Sequence, residues 1–258
     1  PYVDMSNPRI LVTNDDGIYA PGIKALWSAM SELGDVTVVA PNRERSSVGH
    51  AITLSDPLRV DEVQRGNGFS GFSVDGTPSD CVKIATQALL DKQPDVIVSG
   101  INLGSNTGTN IIYSGTVSAA TEGTMLNIPS VAVSLNTFGE GDFAGAKSAS
   151  KRVVTHVLAK GLPAKTLLNV NVPAVPEDEL KGFKITQQGN VAFRDRFEKR
   201  VDPKGRVYYW MAGQMFDPDE ESDMDHNAVL DGYVSITPIH YRLTNNEFLD
   251  ELSSWDFS

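Results

Sequence analysis

Residues 9 to 40 constrain the fold more than any other part of this sequence. Arg9-Ile-Leu-Val-Thr13 is a short apolar run that reads as a buried strand and stops at Asn14-Asp15-Asp16-Gly17. Beyond Pro21-Gly22, the residues Ile23, Leu26, Trp27, Met30 and Leu33 recur at helical spacing, and Gly34 closes the segment. Val36-Thr-Val-Val-Ala40 is a second buried strand. Strand, helix and strand within about 30 residues form a βαβ unit, which requires a parallel sheet with right-handed crossovers.

The alternation pauses over residues 41 to 76, where Leu58 to Val63 and Phe69 to Val74 read as short strands, and then resumes. Thr77-Pro-Ser-Asp80 has the composition of a helix start, with Thr77 as N-cap, Pro78 in the first turn and Asp80 near the positive helix end. Asp95 to Ser99, Ser130 to Ser134 and Thr166 to Val172 read as further strands, with helices expected from about Thr116 and over 144–160. The result is an open, mostly parallel α/β sheet within one domain of 258 residues.

From Gly182 the pattern changes. Phe183 to Thr186, Arg206 to Trp210 and Tyr233 to Thr237 read as strands of a β-rich C-terminal appendage, and Asp202-Pro-Lys-Gly205 as a type I turn, so residues 182–225 are expected to form a protruding β-hairpin extension. Tyr208, Tyr209 and Trp210 are consecutive, so strand geometry points them to both faces of that hairpin. A lone hairpin cannot bury both faces; contact with a partner chain and packing back on the main sheet are the two ways to cover them. The acidic run Asp217 to Asp225 lacks the glycine and closing glutamate of a calcium loop and is expected to be solvated.

Composition excludes several classes of function. The formal net charge of −11 repels phosphate backbones and anionic membranes, so no nucleic acid and no membrane is expected as a partner. An anionic small molecule then needs a local reversal of the field, and a bound cation is the simplest means. Cys81 is the only cysteine, which rules out an internal disulfide and fits a cytoplasmic location. Residues 1–9 lack the basic-then-apolar pattern of a signal peptide, and no apolar stretch approaches the ~20 residues of a membrane span.

Ligands of open α/β sheets bind beyond the carboxyl ends of the strands, so the loops 14–17, 41–50 and 100–110 are the places for chemistry. Two carboxylates ~5 Å apart at an effective dielectric of about 20 repel by roughly 3 kcal/mol, so Asp15 and Asp16 converging on one point need a cation between them. The other strand ends offer the Ser46 hydroxyl and the Asn102 amide oxygen, with no thiolate and no paired-histidine motif. That chemistry favours Mg²⁺ or Mn²⁺ over Zn²⁺. The plainer reading of Asp-Asp-Gly is a turn whose carboxylates face water or cap the next helix.

Tyr113-Ser-Gly-Thr116 precedes an expected helix, so Ser114, Gly115 and Thr116 can seat an anion on its N-terminus, although the same residues also make an ordinary cap. The glycines at 100, 104 and 108 do not form a Gly-x-Gly-x-x-Gly, no P-loop is present, and the Asp-x-Asp of an aspartyl-phosphate route fails at Gly17. His50 lies near Ser46 and Ser47, but no Gly-x-Ser-x-Gly elbow supports a triad. Arg43 and Arg45 are candidates for steering an anion; His156 and His240 read as structural, and His226 is uninformative.

Seven blocks, taken together, carry a resemblance: Ile-Leu-Val-Thr-Asn-Asp-Asp-Gly (10–17), Ala-Pro-Gly-Ile (20–23), Ala-Pro-Asn-Arg-Glu-Arg-Ser (40–46), Gly-Thr-Pro-Ser-Asp-Cys (76–81), Val-Ser-Gly-Ile-Asn-Leu-Gly (98–104), Tyr-Ser-Gly-Thr-Val (113–117) and Gly-Tyr-Val-Ser-Ile-Thr-Pro (232–238). In order and over nearly the whole chain, they resemble the survival protein SurE family of metal-dependent 5′/3′-nucleotidases. The resemblance implies a Rossmann-like core and a C-terminal extension exchanged between subunits of a homodimer or homotetramer. It implies one divalent cation per subunit, Mg²⁺ or Mn²⁺, held by Asp15, Asp16, Ser46 and Asn102, and hydrolysis of nucleoside monophosphates.

The expected reaction releases inorganic phosphate from nucleoside 5′- or 3′-monophosphates by attack of an activated water. Asp15 or Asp16 takes the water's proton, Asn102, Ser114, Gly115 and Thr116 contact the phosphate, and His50 is a candidate for contacting the phosphate or protonating the leaving oxygen. Two alternatives are a broader phosphatase acting on short polyphosphate, which a substrate panel distinguishes, and a nucleotide-sensing module without turnover, which intact Asp15, Asp16 and Asn102 argue against.

Overall fold

A computed structural model of the chain describes residues 7–216 and 221–257. The first six residues and part of the acidic run, 217–220, lie outside the described residues. Strands β1 (Arg9–Thr13) and β2 (Asp35–Pro41) flank helix α1 (Pro21–Met30), as the sequence pattern requires. There follow β3 (Val60–Gln64), β4 (Ser70–Val74), α2 (Pro78–Ile84), β5 (Val96–Leu103), α3 (Gly115–Met125), β6 (Ser130–Asn136), α4 (Ala144–Lys160) and β7 (Thr166–Pro173). The remaining elements are β8 (Phe183–Ile185), β9 (Ala192–Val201), β10 (Val207–Phe216), α5 (Asp225–Leu230), β11 (Val234–His240) and α6 (Leu249–Ser253).

Nine strands form one mixed, mostly parallel sheet in the order β3-β4-β2-β1-β5-β6-β7-β11-β8. Only the β3–β4 and β7–β11 pairs are antiparallel. Alternating residues of β1 enter two cores. Ile10 and Val12 pack with Ile23, Leu26 and Met30 of α1 and Val154 of α4, whereas Leu11 packs with Cys81 and Val82 of α2 and Ala119 of α3. Each such side chain contributes ~1.5–3 kcal/mol of burial, so the helices are fixed on both faces and their ends are fixed at the sheet's rim.

The α2 start forms as its composition predicts. Thr77 Oγ1 accepts the Asp80 N–H at 3.1 Å while the Asp80 carboxylate accepts the Thr77 N–H at 2.9 Å, a reciprocal capping box.

The C-terminal third is arranged differently from the sequence expectation. β8 and β11 do not belong to an appendage; they extend the main sheet beyond β7, because their apolar residues pack with that core. Only β9 and β10 stand apart as a two-stranded antiparallel sheet, from Ala192 to Phe216, within the expected 182–225. Its turn closes at Asp202–Arg206. Tyr208, Tyr209 and Trp210 are 40–58% exposed, so the main sheet does not cover them. Among the described residues no helix is long and apolar enough to cross a membrane.

Candidate active site at the switch point of the sheet

The chain first builds the sheet leftward from β1 to β2 and β4, then crosses to place β5 on the other side of β1. The crevice between the β1 and β5 ends is the position where such sheets bind ligands. β1 runs into a turn closed by its own asparagine. Asn14 Nδ2 donates to the Gly17 carbonyl at 3.0 Å, and the Gly17 N–H donates to Asn14 Oδ1 at 3.2 Å. Gly17 has φ +95°, and a Cβ there would meet the Arg43 backbone at 3.0 Å, so the turn needs glycine. The outcome is that Asp15 and Asp16 stand at the tip of the central strand.

Asp15 is buried and joins three elements. Its carbonyl accepts the Arg45 N–H at 2.7 Å, which ties it to the loop after β2. Its carboxylate accepts the Thr116 hydroxyl at 2.5 Å in the first turn of α3. A Cβ on Gly115 would lie 2.6 Å from Asp15 Cβ and 2.8 Å from Oδ2, so glycine at the helix start is what lets the carboxylate come this close. Ser114 caps the helix by accepting the Val117 N–H at 3.1 Å. The sequence placed Ser114, Gly115 and Thr116 at a helix start; the structure brings that start onto Asp15.

Burial raises the Asp15 carboxyl above its ordinary value, against the Thr116 hydrogen bond. Asp16 is pushed up to about 7 by burial and by the charges of Asp15 and Glu44. Among the described residues no Lys or Arg pairs with either carboxylate; the Arg45 guanidinium is engaged with Asp75 at 2.9 Å. Arg45 is therefore a structural residue of this loop, while Arg43 is exposed beside Gly17.

The register between β5 and β6 shifts between Ser99 and Asn102, a bulge that re-aims the strand end. Asn102 Nδ2 donates to the Gly104 carbonyl at 2.7 Å, which leaves Oδ1 as the free acceptor of that side chain. Beneath, Thr13 and Ser99 are register partners whose hydroxyls are buried without a hydrogen-bond partner, so the floor of the crevice is polar. Ser46 lies one residue beyond Arg45 and its hydroxyl donates to Glu44 at 2.7 Å. Among the described residues no three His, Cys, Asp or Glu side chains gather to hold a metal. The oxygens available to a cation would be the two carboxylates with the neutral Ser46 and Asn102 groups, a donor set that fits a hard divalent ion.

His50 is engaged with α3. Its Nε2 lies 2.8 Å from Glu122 Oε2, and Lys83 Nζ lies 2.7 Å from Glu122 Oε1. Glu122 is seven residues beyond Gly115 on α3, roughly 10 Å along the axis. Burial works against its ionisation, but the bonds from His50 and Lys83 win and hold its carboxyl below the ordinary range. The loop bearing His50 is further tied down by Gly49 N–H to the Tyr113 carbonyl at 3.1 Å, Thr77 to the Ala51 carbonyl at 2.7 Å, and Thr53 to Asp80. Glu122 and Lys83 were not singled out in the sequence. The available signal was one carboxylate within an otherwise uncharged helix, Val117 to Met125.

The sequence family described as "Survival protein SurE" matches residues 10–195. A protein named 5′-nucleotidase SurE from Syntrophobacter fumaroxidans is 49% identical over 248 residues, 96% of this chain and 99% of that one. One of the same name from Geobacter sulfurreducens is 50% identical over 251 residues, covering 97% and 94%. This chain belongs to the SurE family. The crystal structure of the SurE protein from Aquifex aeolicus superimposes with a TM-score of 0.84 at 43% identity, covering 95% of this chain and 98% of that one. The SurE likeness thus spans the crevice, the strap from 41 to 53 and the strands beyond β7.

Proposed function

We propose that this chain is a 5′-nucleotidase, a phosphomonoesterase that releases inorganic phosphate from nucleoside monophosphates esterified at the 5′ or 3′ position. The observation that carries the reading is the junction of Asp15 and Asp16 with the α3 N-terminus, an acidic pair set against an anion seat. A phosphate can share this corner with two carboxylates only if a cation lies between them, and phosphoryl transfer uses that combination. The names of the SurE relatives support the nucleotide as substrate.

Asp15 and Asp16 would hold one Mg²⁺ or Mn²⁺ per subunit, with Ser46 Oγ and Asn102 Oδ1 completing the set. Bound there, such an ion neutralises phosphoryl charge and makes water a stronger nucleophile. The N–H groups of Gly115 and Thr116, with the Ser114 hydroxyl, orient the phosphoryl oxygens toward the carboxylates. Asp15 is anchored by Thr116, so Asp16 is the freer carboxylate to accept a proton from water. His50, oriented by Glu122, is the strap's candidate for donating a proton to the leaving oxygen. The β9–β10 hairpin would contact a neighbouring subunit in a homodimer or homotetramer, and the single thiol suits the cytoplasm.

Phosphate release measured across 5′- and 3′-nucleoside monophosphates, short polyphosphate and simple monoesters tests this reading. The nucleotides are expected to be cleaved with the highest kcat/KM. A preference for polyphosphate, or nucleotide binding without turnover, would replace it with one of the two alternatives.

A further inference from the structure

Phe138, in the connection between β6 and α4, is 87% exposed. An aromatic ring left in water on a loop is unusual only when its location matters, and this one lies at the rim of the crevice. A Cβ on Gly104 would sit 3.1 Å from Phe138 Cε1 and 3.7 Å from Asn102 Nδ2, which puts the ring edge within about 7 Å of that amide. Gly104 carries no side chain and has φ +110°, so nothing stands between the ring and the loop backbone. In sheet order the rim therefore reads Arg43 and Ser46 after β2, Asp15 and Asp16 after β1, Asn102 near the end of β5, and Phe138 after β6.

We propose that Phe138 is the stacking surface for the nucleobase of the substrate and so a specificity-determining residue. The proposal rests on the nucleotidase reading above. Phe138 follows β6, two strands across from β1 at ~4.8 Å per strand, so with the phosphate at the carboxylate pair the ring lies on the order of 10 Å away, within reach of the base of a nucleoside monophosphate. Tyr19 is also exposed at the rim, but the Arg65 guanidinium lies 5.7 Å from its ring centroid. Phe138 has no ring or cation partner among the described residues. Every base presents a π-face, so stacking on Phe138 confers affinity for nucleotides over plain sugar phosphates without selecting one base.

Steady-state kinetics of the full chain with Mg²⁺ or Mn²⁺, as wild type, Phe138→Ala and Phe138→Trp, test this with four nucleoside monophosphates and with ribose 5-phosphate. Phe138→Ala is expected to raise KM for all four nucleotides by about tenfold, with kcat unchanged and ribose 5-phosphate unaffected. Phe138→Trp is expected to restore the nucleotide KM. An unchanged nucleotide KM in Phe138→Ala, or an equal rise for ribose 5-phosphate, overturns the proposal. Calorimetric binding of a non-hydrolysable nucleoside phosphonate separates the two levels. If wild type turns over no nucleotide yet binds the phosphonate more tightly than Phe138→Ala does, the nucleotidase reading fails and the stacking site stands.

Discussion

Asp15 and Asp16 are adjacent in the chain but held differently. Asp15 is fixed by Thr116 and by the Arg45 N–H, whereas burial and the charges of Asp15 and Glu44 push Asp16 up to about 7. A folded-state value above the unfolded one means that the protonated form is favoured by folding. That contribution is complete below the unfolded carboxylate pKa near 4 and is lost as pH rises through about 7. In EDTA, Asp16→Asn is therefore expected to melt at a higher temperature than wild type at pH 8 and at a similar one at pH 4. Differential scanning fluorimetry reads this, and equal melting at both values would mean that the carboxylate is not under strain. Activity of Asp15→Asn and of Asp16→Asn is expected to fall by about a hundredfold or more, because each removes a charge from the reacting centre. Wild-type kcat in Asp15→Asn with metal still bound would remove that residue from the chemistry.

Among the elements, α3 organises the site: its first turn meets Asp15 and its third turn carries Glu122, the anchor of the strap. Glu122→Gln removes the charge from bonds to His50 and Lys83 and is expected to cost about 1–3 kcal/mol at pH 7. Because the Glu122 carboxyl is held below its ordinary value, that stability exists above the unfolded pKa near 4.3 and fades as pH falls further. Urea denaturation at pH 7 and pH 3.5 should show the difference between wild type and variant shrinking at the lower pH. A constant difference would indicate that packing rather than charge fixes the strap. The strands, α1, α2 and the cap at Thr77 were legible in the sequence because local periodicity and capping chemistry decide them. Long-range pairing was not legible: β8 and β11 read as appendage strands because nothing local says that Val234 joins the core beside β7. The partner of His50 was not legible either, since Glu122 lies 72 residues away.

For the molecule as a whole, with a net charge of −11, the proposed cation at the switch point would be the means by which an anionic substrate is admitted. The β9–β10 hairpin leaves Phe197, Tyr209, Trp210 and Met211 58–63% exposed on a sheet with no cover among the described residues. A homo-oligomer burying more than ~1,000 Å² there is the expected state. Deleting residues 192–216 with a short linker should shift sedimentation toward monomer while leaving the crevice intact; an unchanged oligomer would show that assembly uses another surface.

The oxygen-lined crevice at Asp15 and Asp16 is proposed to work through one hard divalent cation. Phosphate release from a nucleoside 5′-monophosphate after exhaustive EDTA dialysis, followed by titration with Mg²⁺ or Mn²⁺, tests it most directly. Activity should vanish on chelation and return with either ion, saturating at one site per chain. Full activity in metal-free buffer would contradict it.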